Sequence, residues 1–197
     1  MKRLFIFFVL CEFVHPENYL YKTDQLLSET LEGKNHSAFL DLTMETLALS
    51  TPFIEFGYAG VLQLESKKAQ LLTVSTLGVQ LPIAIGKYIF KRNRPNRHYT
   101  PRLWNSRWTS SFPSGHGATT AAWATTLILS SPKMKPLLIG YTLVSGYSQV
   151  YVGNHYISDI IAGWMLGWAT ARIIQYSFEP SRNKSVSSPL LRIAVPL

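Results

Sequence analysis

Between Ser66 and Ser158 the sequence contains no aspartate and no glutamate, although lysine and arginine recur through the whole interval. That absence excludes a magnesium or calcium site built within the interval, because such cations are held by carboxylate oxygens. It also leaves a one-sided positive potential that attracts phosphate, anionic lipid or nucleic acid. Cysteine is almost missing: Cys11 stands alone, so no intramolecular disulfide can form and the redox compartment cannot be read. Charge of either sign is scarce, at 15% of residues, against roughly a quarter in soluble proteins. Hydrophobic residues make up 47%, yet mean hydropathy is only +0.08. Composition therefore points toward a membrane without settling it.

At 197 residues the chain has the length of one domain. Its N-terminus, "MKRLFIFFVLCEFVHPEN", carries two basic residues followed by an apolar run from Leu4 to Val14. That run suits a signal peptide or short signal anchor better than a span, which needs about twenty residues. Residues 15–35 are polar and mixed in charge, and read as a loop or short helix. Five apolar segments follow, at about 38–64, 69–90, 116–131, 136–152 and 156–176. They are too long for strands and rich in Ala, Leu, Gly and Thr, so they read as helices. Residues 69–86 and 136–154 hold no charge at all.

The expected fold is all-α: a bundle of five to six mostly apolar helices, embedded in a membrane. Residues 1–35 form the signal or anchor segment plus a polar linker, 36–178 the helical domain, and 179–197 a flexible, Ser- and Pro-containing tail. The basic residues support this topology. Lys2-Arg3, Lys67-Lys68, Lys133 with Lys135, and Arg182 with Lys184 fall on one face if the helices alternate across a bilayer. The 87–115 loop and the 152–156 turn then share the other face. The competing reading is a soluble helical bundle with solvated lysine turns.

Three unusual stretches meet on that second face. In "KYIFKRNRP", Lys87 precedes Arg94-Pro95, and the two cations could hold oxygens of one phosphoryl group, the arginine as a bidentate fork. A basic patch for lipid headgroups would look the same. In Pro113-Ser114-Gly115-His116, a starting helix would turn free backbone N–H groups toward an anion, with glycine permitting close approach. His116 would stand beside that phosphate as a general acid. In "SQVYVGNHYISDIIAG", His155 and Asp159 are four apart and share a helical face, so the carboxylate can fix one imidazole nitrogen and leave the other free. Two histidines, a carboxylate, cations and backbone donors make up what metal-free phosphoryl transfer requires, one histidine as nucleophile and one as general acid.

In order and spacing these stretches resemble the signature of the type 2 phosphatidic acid phosphatase (PAP2) family, which shares its fold with vanadium haloperoxidases. That signature reads Lys-x6-Arg-Pro, Pro-Ser-Gly-His and Ser-Arg-x5-His-x3-Asp. Here it appears as Lys87…Arg94-Pro95, Pro113–His116 and Ser148-Gln149…His155…Asp159, and the resemblance covers about residues 38–176. It implies that His155 is the nucleophile that forms a phosphohistidine and that Asp159 orients it. His116 would protonate the leaving group and later activate water, while Lys87, Arg94, Ser114 and the Gly115 amide bind the phosphate. It further implies a phosphorylated lipid substrate, no metal or other cofactor, and a site on the extracytoplasmic side of a bacterial cell membrane. Gln149 departs from the pattern, since a neutral amide replaces the motif arginine in the phosphate-binding set. Arg102, Arg107 or Lys91 are candidates to compensate.

Gln149 also supports an alternative, a catalytically weakened membrane protein that keeps the fold and binds anionic headgroups. A vanadate haloperoxidase would need the same pocket and would suffer from the same missing charge. Nucleic-acid binding is disfavoured, because the arginines lie between apolar helices and no recognition motif accompanies them.

Overall fold

The computed structural model describes residues 18–33, 37–61, 66–95 and 110–178, and every regular element among them is helical. The N-terminal signal or anchor segment and the C-terminal tail lie outside the described residues, as do Arg102 and Arg107. Seven α-helices are seen: α1 (Tyr19–Leu31), α2 (Ala38–Val61), α3 (Lys67–Gly78), α4 (Gln80–Phe90), α5 (Gly115–Ser130), α6 (Lys135–Tyr151) and α7 (Ile157–Phe178). Only Val79 separates α3 from α4, and together they form the apolar segment expected at 69–90. Lys67–Phe90 is also the one stretch among the described residues long and apolar enough to cross a membrane. The remaining apolar segments agree with α2, α5, α6 and α7 to within a few residues. The polar stretch 15–35 contains a well-formed helix.

Helix α5 is the centre of the bundle, with every residue from Gly117 to Ala124 buried. Its composition permits this: Gly, Ala and Thr leave room for neighbours to approach from every side. The tightest approach is to α7. A Cβ built on Gly163 would lie 2.6 Å from the Ser114 carbonyl oxygen, and one on Gly167 would fall on the Ala118 carbonyl oxygen. Backbone therefore packs on backbone, which draws the starts of α5 and α7 together. Trp123 completes one core cluster with Ala59, Leu72 and Leu138. Val79 and Ile83 complete another with Ala118, Ala122 and Ala171.

The threonines in these helices do not interrupt the apolar surface. Thr76, Thr119, Thr126, Thr142 and Thr170 each donate a hydroxyl hydrogen bond to the carbonyl four residues back, so their polar atoms are satisfied within the helix. The outward faces carry large apolar side chains: Phe53, Leu81, Ile85, Leu137 and Trp168 are all more than half exposed. Apolar cover on this scale marks an interaction surface rather than one adapted to water.

Gly167→Val is expected to destabilise the bundle by about 3 kcal/mol, because the added methyls meet backbone that cannot move aside. The measurement is thermal unfolding in detergent, where a fall in Tm of about 10 °C is expected.

Of the basic residues expected on one face, Lys67, Lys68 and Lys135 gather at one end, while Lys2, Arg3, Arg182 and Lys184 lie outside the described residues. Lys67, Lys68, Ser130 and Gln175 line one cleft, and Lys135 and Arg172 line another beside it. The C-terminal ends of α4 and α6 and the N-terminal ends of α5 and α7 lie at the opposite end of the bundle.

Candidate active site

That opposite end is where the three motif stretches converge. Helix α4 stops at Lys91, whose left-handed backbone (φ 48°) turns the chain back across the bundle end. Lys87, in the last turn of α4, donates from Nζ to the Ser110 carbonyl. Ser111 closes the loop that follows: its N–H donates to the Arg92 carbonyl (2.8 Å) and its hydroxyl to the Asn93 carbonyl (3.1 Å). Arg94 is thereby aimed at the α6–α7 turn, where its Nη1 donates to the Asn154 carbonyl (2.9 Å) and lies 3.3 Å from His155 Nε2.

Ser114 caps α5, its hydroxyl accepting from the Gly117 N–H (3.2 Å). Such a cap contributes about 1 kcal/mol to its helix. The Ser114 N–H donates to the Asp159 carbonyl (3.0 Å), which ties the second motif to the third. Gly115 and His116 occupy the first turn of α5, where backbone N–H groups have no carbonyl partner within the helix.

The third motif folds around a tight turn. Helix α6 ends at Tyr151, and Gly153 adopts a positive φ of 67° that a side chain would strain. The Asn154 and His155 N–H groups return to the Gln149 carbonyl. His155 and Asp159 are buried, and His155 Nδ1 stands 3.4 Å from Asp159 Oδ2. This is ion-pair distance without the alignment of a hydrogen bond, and Nδ1 has no hydrogen-bond partner among the described residues. Burial, and then the Arg94 cation, hold the His155 pKa down at about 3, against the opposing pull of Asp159. The ring is thus a neutral imidazole at physiological pH. A histidine NMR titration is expected to show no protonation of His155 between about pH 5 and 8, whereas an ordinary histidine titrates within that window. A depressed pKa means the nucleophilic form is present above the folded value and is lost only as pH falls through it.

All eight residues singled out in the sequence lie at this end of the bundle: Lys87, Arg94, Ser114, Gly115, His116, Gln149, His155 and Asp159. Gln149 differs from the rest in what it does. Fully buried, it donates from Nε2 to the Ala48 carbonyl of α2 (2.9 Å) and accepts from Asn154 Nδ2 (3.2 Å). The His116 ring interacts with the same Ala48 carbonyl. Of the cations considered as substitutes for the missing arginine, Lys91 is exposed and lies over the Tyr88 ring (5.3 Å).

Sequence reading missed Arg92 and Asp24. Arg92 is buried and donates from Nη1 to Asp159 Oδ1 (2.6 Å) and from Nη2 to Asp24 Oδ2 (2.8 Å). Burial works against its charge, but Asp159 and Asp24 outweigh that and raise its pKa further. Its position two residues before Arg94 was the only available signal. Nothing in the polar stretch 15–35 marked Asp24. Among the described residues, no group of His, Cys, Asp and Glu is arranged to hold a metal ion.

The sequence model of the PAP2 superfamily matches residues 68–182. Over 110 residues the chain is 41% identical to an undecaprenyl-diphosphatase of Sulfolobus acidocaldarius, covering 51% of this chain and 53% of that protein. Over 159 residues it is 31% identical to a lipid A 1-phosphatase of Rhizobium etli, covering 72% of this chain and 66% of that one. The chain therefore spans about half to two thirds of the length of these relatives. Among solved structures, a transmembrane PAP2-type phosphatidylglycerolphosphate phosphatase from Bacillus subtilis superposes with a TM-score of 0.68 at 20% identity, covering 94% of this chain and 98% of that one. LpxE from Aquifex aeolicus superposes with a TM-score of 0.62 at 22% identity, covering 76% and 92%.

Proposed function

The chain belongs to the PAP2 superfamily, and from that premise we propose that it is a metal-independent phosphatase acting on a lipid phosphate monoester or pyrophosphate. The observation that carries this reading is the neutral, buried His155, with Asp159 at one ring nitrogen and Arg94 at the other. In the free enzyme Arg94 faces Nε2. A bound phosphoryl group would draw the guanidinium onto its oxygens and expose Nε2 for in-line attack.

Nε2 then forms a bond to phosphorus while the bond from phosphorus to the leaving oxygen breaks. Burial and then the Arg94 and Lys87 cations keep the His116 ring neutral in the free protein. The bound phosphate dianion would offset those cations and let the ring take up a proton, which the imidazolium then gives to the leaving oxygen. Asp159 stabilises the positive charge that develops on the His155 ring. Lys87, Arg94, the Ser114 hydroxyl and the Gly115 amide stabilise charge on the equatorial oxygens. In the second half, His116 takes a proton from water, the water oxygen attacks phosphorus, and the bond to Nε2 breaks to release inorganic phosphate.

A lipid substrate is supported by the apolar cover of the bundle and by the names of the relatives, an undecaprenyl-diphosphatase and lipid A 1-phosphatases. By the positive-inside rule, the clustered basic ends support a site on the extracytoplasmic face of a cell membrane. The test is phosphate release by the detergent-solubilised protein from undecaprenyl diphosphate, lipid A, phosphatidylglycerophosphate and a soluble aryl phosphate, each with and without a chelator. Turnover unchanged by the chelator is expected. Chelator-sensitive turnover, or none on any substrate, would overturn the reading.

Gln149 favours a second reading, a headgroup-binding protein with little turnover, because its amide is already committed to Ala48 and Asn154. Gln149→Arg separates the two. For a working phosphatase the added charge is expected to lower KM by about threefold and leave kcat nearly unchanged. A rise in kcat from near zero would instead identify a weakened site.

A further inference from the structure

We infer that Asp24, on helix α1, is a positioning residue for the reaction, acting through Arg92 and Ser158 on Asp159. This rests on the phosphatase reading above.

Helix α1 is turned the opposite way from an ordinary amphipathic helix. Its buried residues are the polar Asp24 and Ser28, four apart on one face, while Leu26 and Leu27 are exposed. The polar face has a specific task at the start of α7. The first N–H groups of a helix lack partners within it. Here the Ile157 N–H donates to Ser28 Oγ (3.0 Å) and the Ser158 N–H to Asp24 Oδ1 (3.1 Å). One helix thus caps another immediately beside the His155 turn.

Asp24 also completes a buried charge relay behind Asp159. Its Oδ2 accepts from Arg92 Nη2 and from the Ser158 hydroxyl, and Arg92 Nη1 reaches both Ser158 Oγ (2.7 Å) and Asp159 Oδ1. The guanidinium is flanked by the rings of Tyr21 of α1 (4.9 Å) and Tyr156 (4.0 Å), which block other orientations. The Tyr156 N–H donates to Asp159 Oδ2 (2.9 Å), the oxygen that faces His155. Two carboxylates therefore share one arginine. Without the charge on Asp24, Arg92 would be balanced by Asp159 alone. It would then draw electron density and the carboxylate itself away from the imidazole that must become positive during attack.

The test is a double-mutant cycle on kcat with the full chain in detergent. Asp24→Asn keeps the shape and an acceptor oxygen for the Ser158 N–H but removes the charge. It is expected to lower kcat about tenfold with KM within about twofold. In an Asp159→Asn background the same change is expected to have no further effect, because its route to His155 is already cut. Thr23→Ala, whose hydroxyl only donates to the Tyr19 carbonyl on the exposed side of α1, serves as the neutral control. Arg92→Lys keeps a cation that cannot span both carboxylates. It enters the same cycle and carries the test if Asp24→Asn does not fold. Wild-type kcat in the single variant, or losses that multiply in the Asp159→Asn background, would overturn the inference while leaving the phosphatase reading intact. Failure of the wild type to release phosphate would overturn both.

Discussion

His155→Ala is expected to abolish turnover, with kcat falling by on the order of 10⁴-fold or more, while the protein stays folded. The size of the loss follows from the chemistry, since among the described residues no other side chain offers an uncharged ring nitrogen beside both Asp159 and Arg94. Removing a nucleophile leaves only what binding and electrostatic stabilisation provide. Folding survives because the neighbours of the ring keep other partners. Asp159 retains Arg92 and the Tyr156 N–H, and Arg94 retains the Asn154 carbonyl. The companion measurement is rapid-quench labelling with a radiolabelled aryl phosphate. Wild-type protein is expected to carry a transient label that survives alkali and is lost in acid, as a phosphoramidate does. His116→Ala is expected to accumulate that label with a good leaving group, because water activation is slowed more than attack. Full activity in His155→Ala would remove the basis of the mechanism.

Arg92→Met is expected to produce the largest loss of stability, about 3–5 kcal/mol, together with loss of activity. The guanidinium is buried between Asp24 and Asp159, at 2.8 Å and 2.6 Å, and both carboxylates are themselves buried. Removing the shared cation leaves two uncompensated negative groups facing one another in a medium of low dielectric constant. Methionine fills much of the volume, so the cost reports charge rather than a cavity. Thermal unfolding by tryptophan fluorescence checks the size. Asp24→Asn in the Arg92→Met background is expected to recover part of the loss, because one of the two stranded charges is then gone. A mild Arg92→Met phenotype would mean that water or rearrangement supplies the missing partner.

These two predictions differ in how visible their residues were. His155 and Asp159 stand four apart in a motif that reads as one helical face, but His155 lies in the turn before α7 and only Asp159 is in the helix. The fold of that turn, not helical spacing, brings His155 Nδ1 to 3.4 Å from Asp159 Oδ2. Arg94 and Lys87 were equally legible, because a helix end followed by a short return to the bundle leaves them little choice of direction. Gln149 was visible as a departure from the motif, but its partner was not. Only folding brings the Ala48 carbonyl of α2 beside it, from about a hundred residues away in the chain.

The helical class, the positions of the apolar helices and the gathering of the motif stretches at one end were determined by the sequence itself. They depend on local periodicity, on apolar segments long enough to be helices and on the alternation of short connections, all of which are properties of neighbouring residues. The role of α1 was decided by tertiary structure alone. Asp24 and Ser28 lie in a polar stretch with no motif, and their hydrogen-bond partners are more than sixty residues away at Arg92 and more than a hundred away at Ile157 and Ser158. A buried polar group must find a partner, but no rule of spacing says which distant group it will be. That pairing was settled when the close approach of α5 and α7 fixed the position of Asp159 and left Arg92 between two carboxylates.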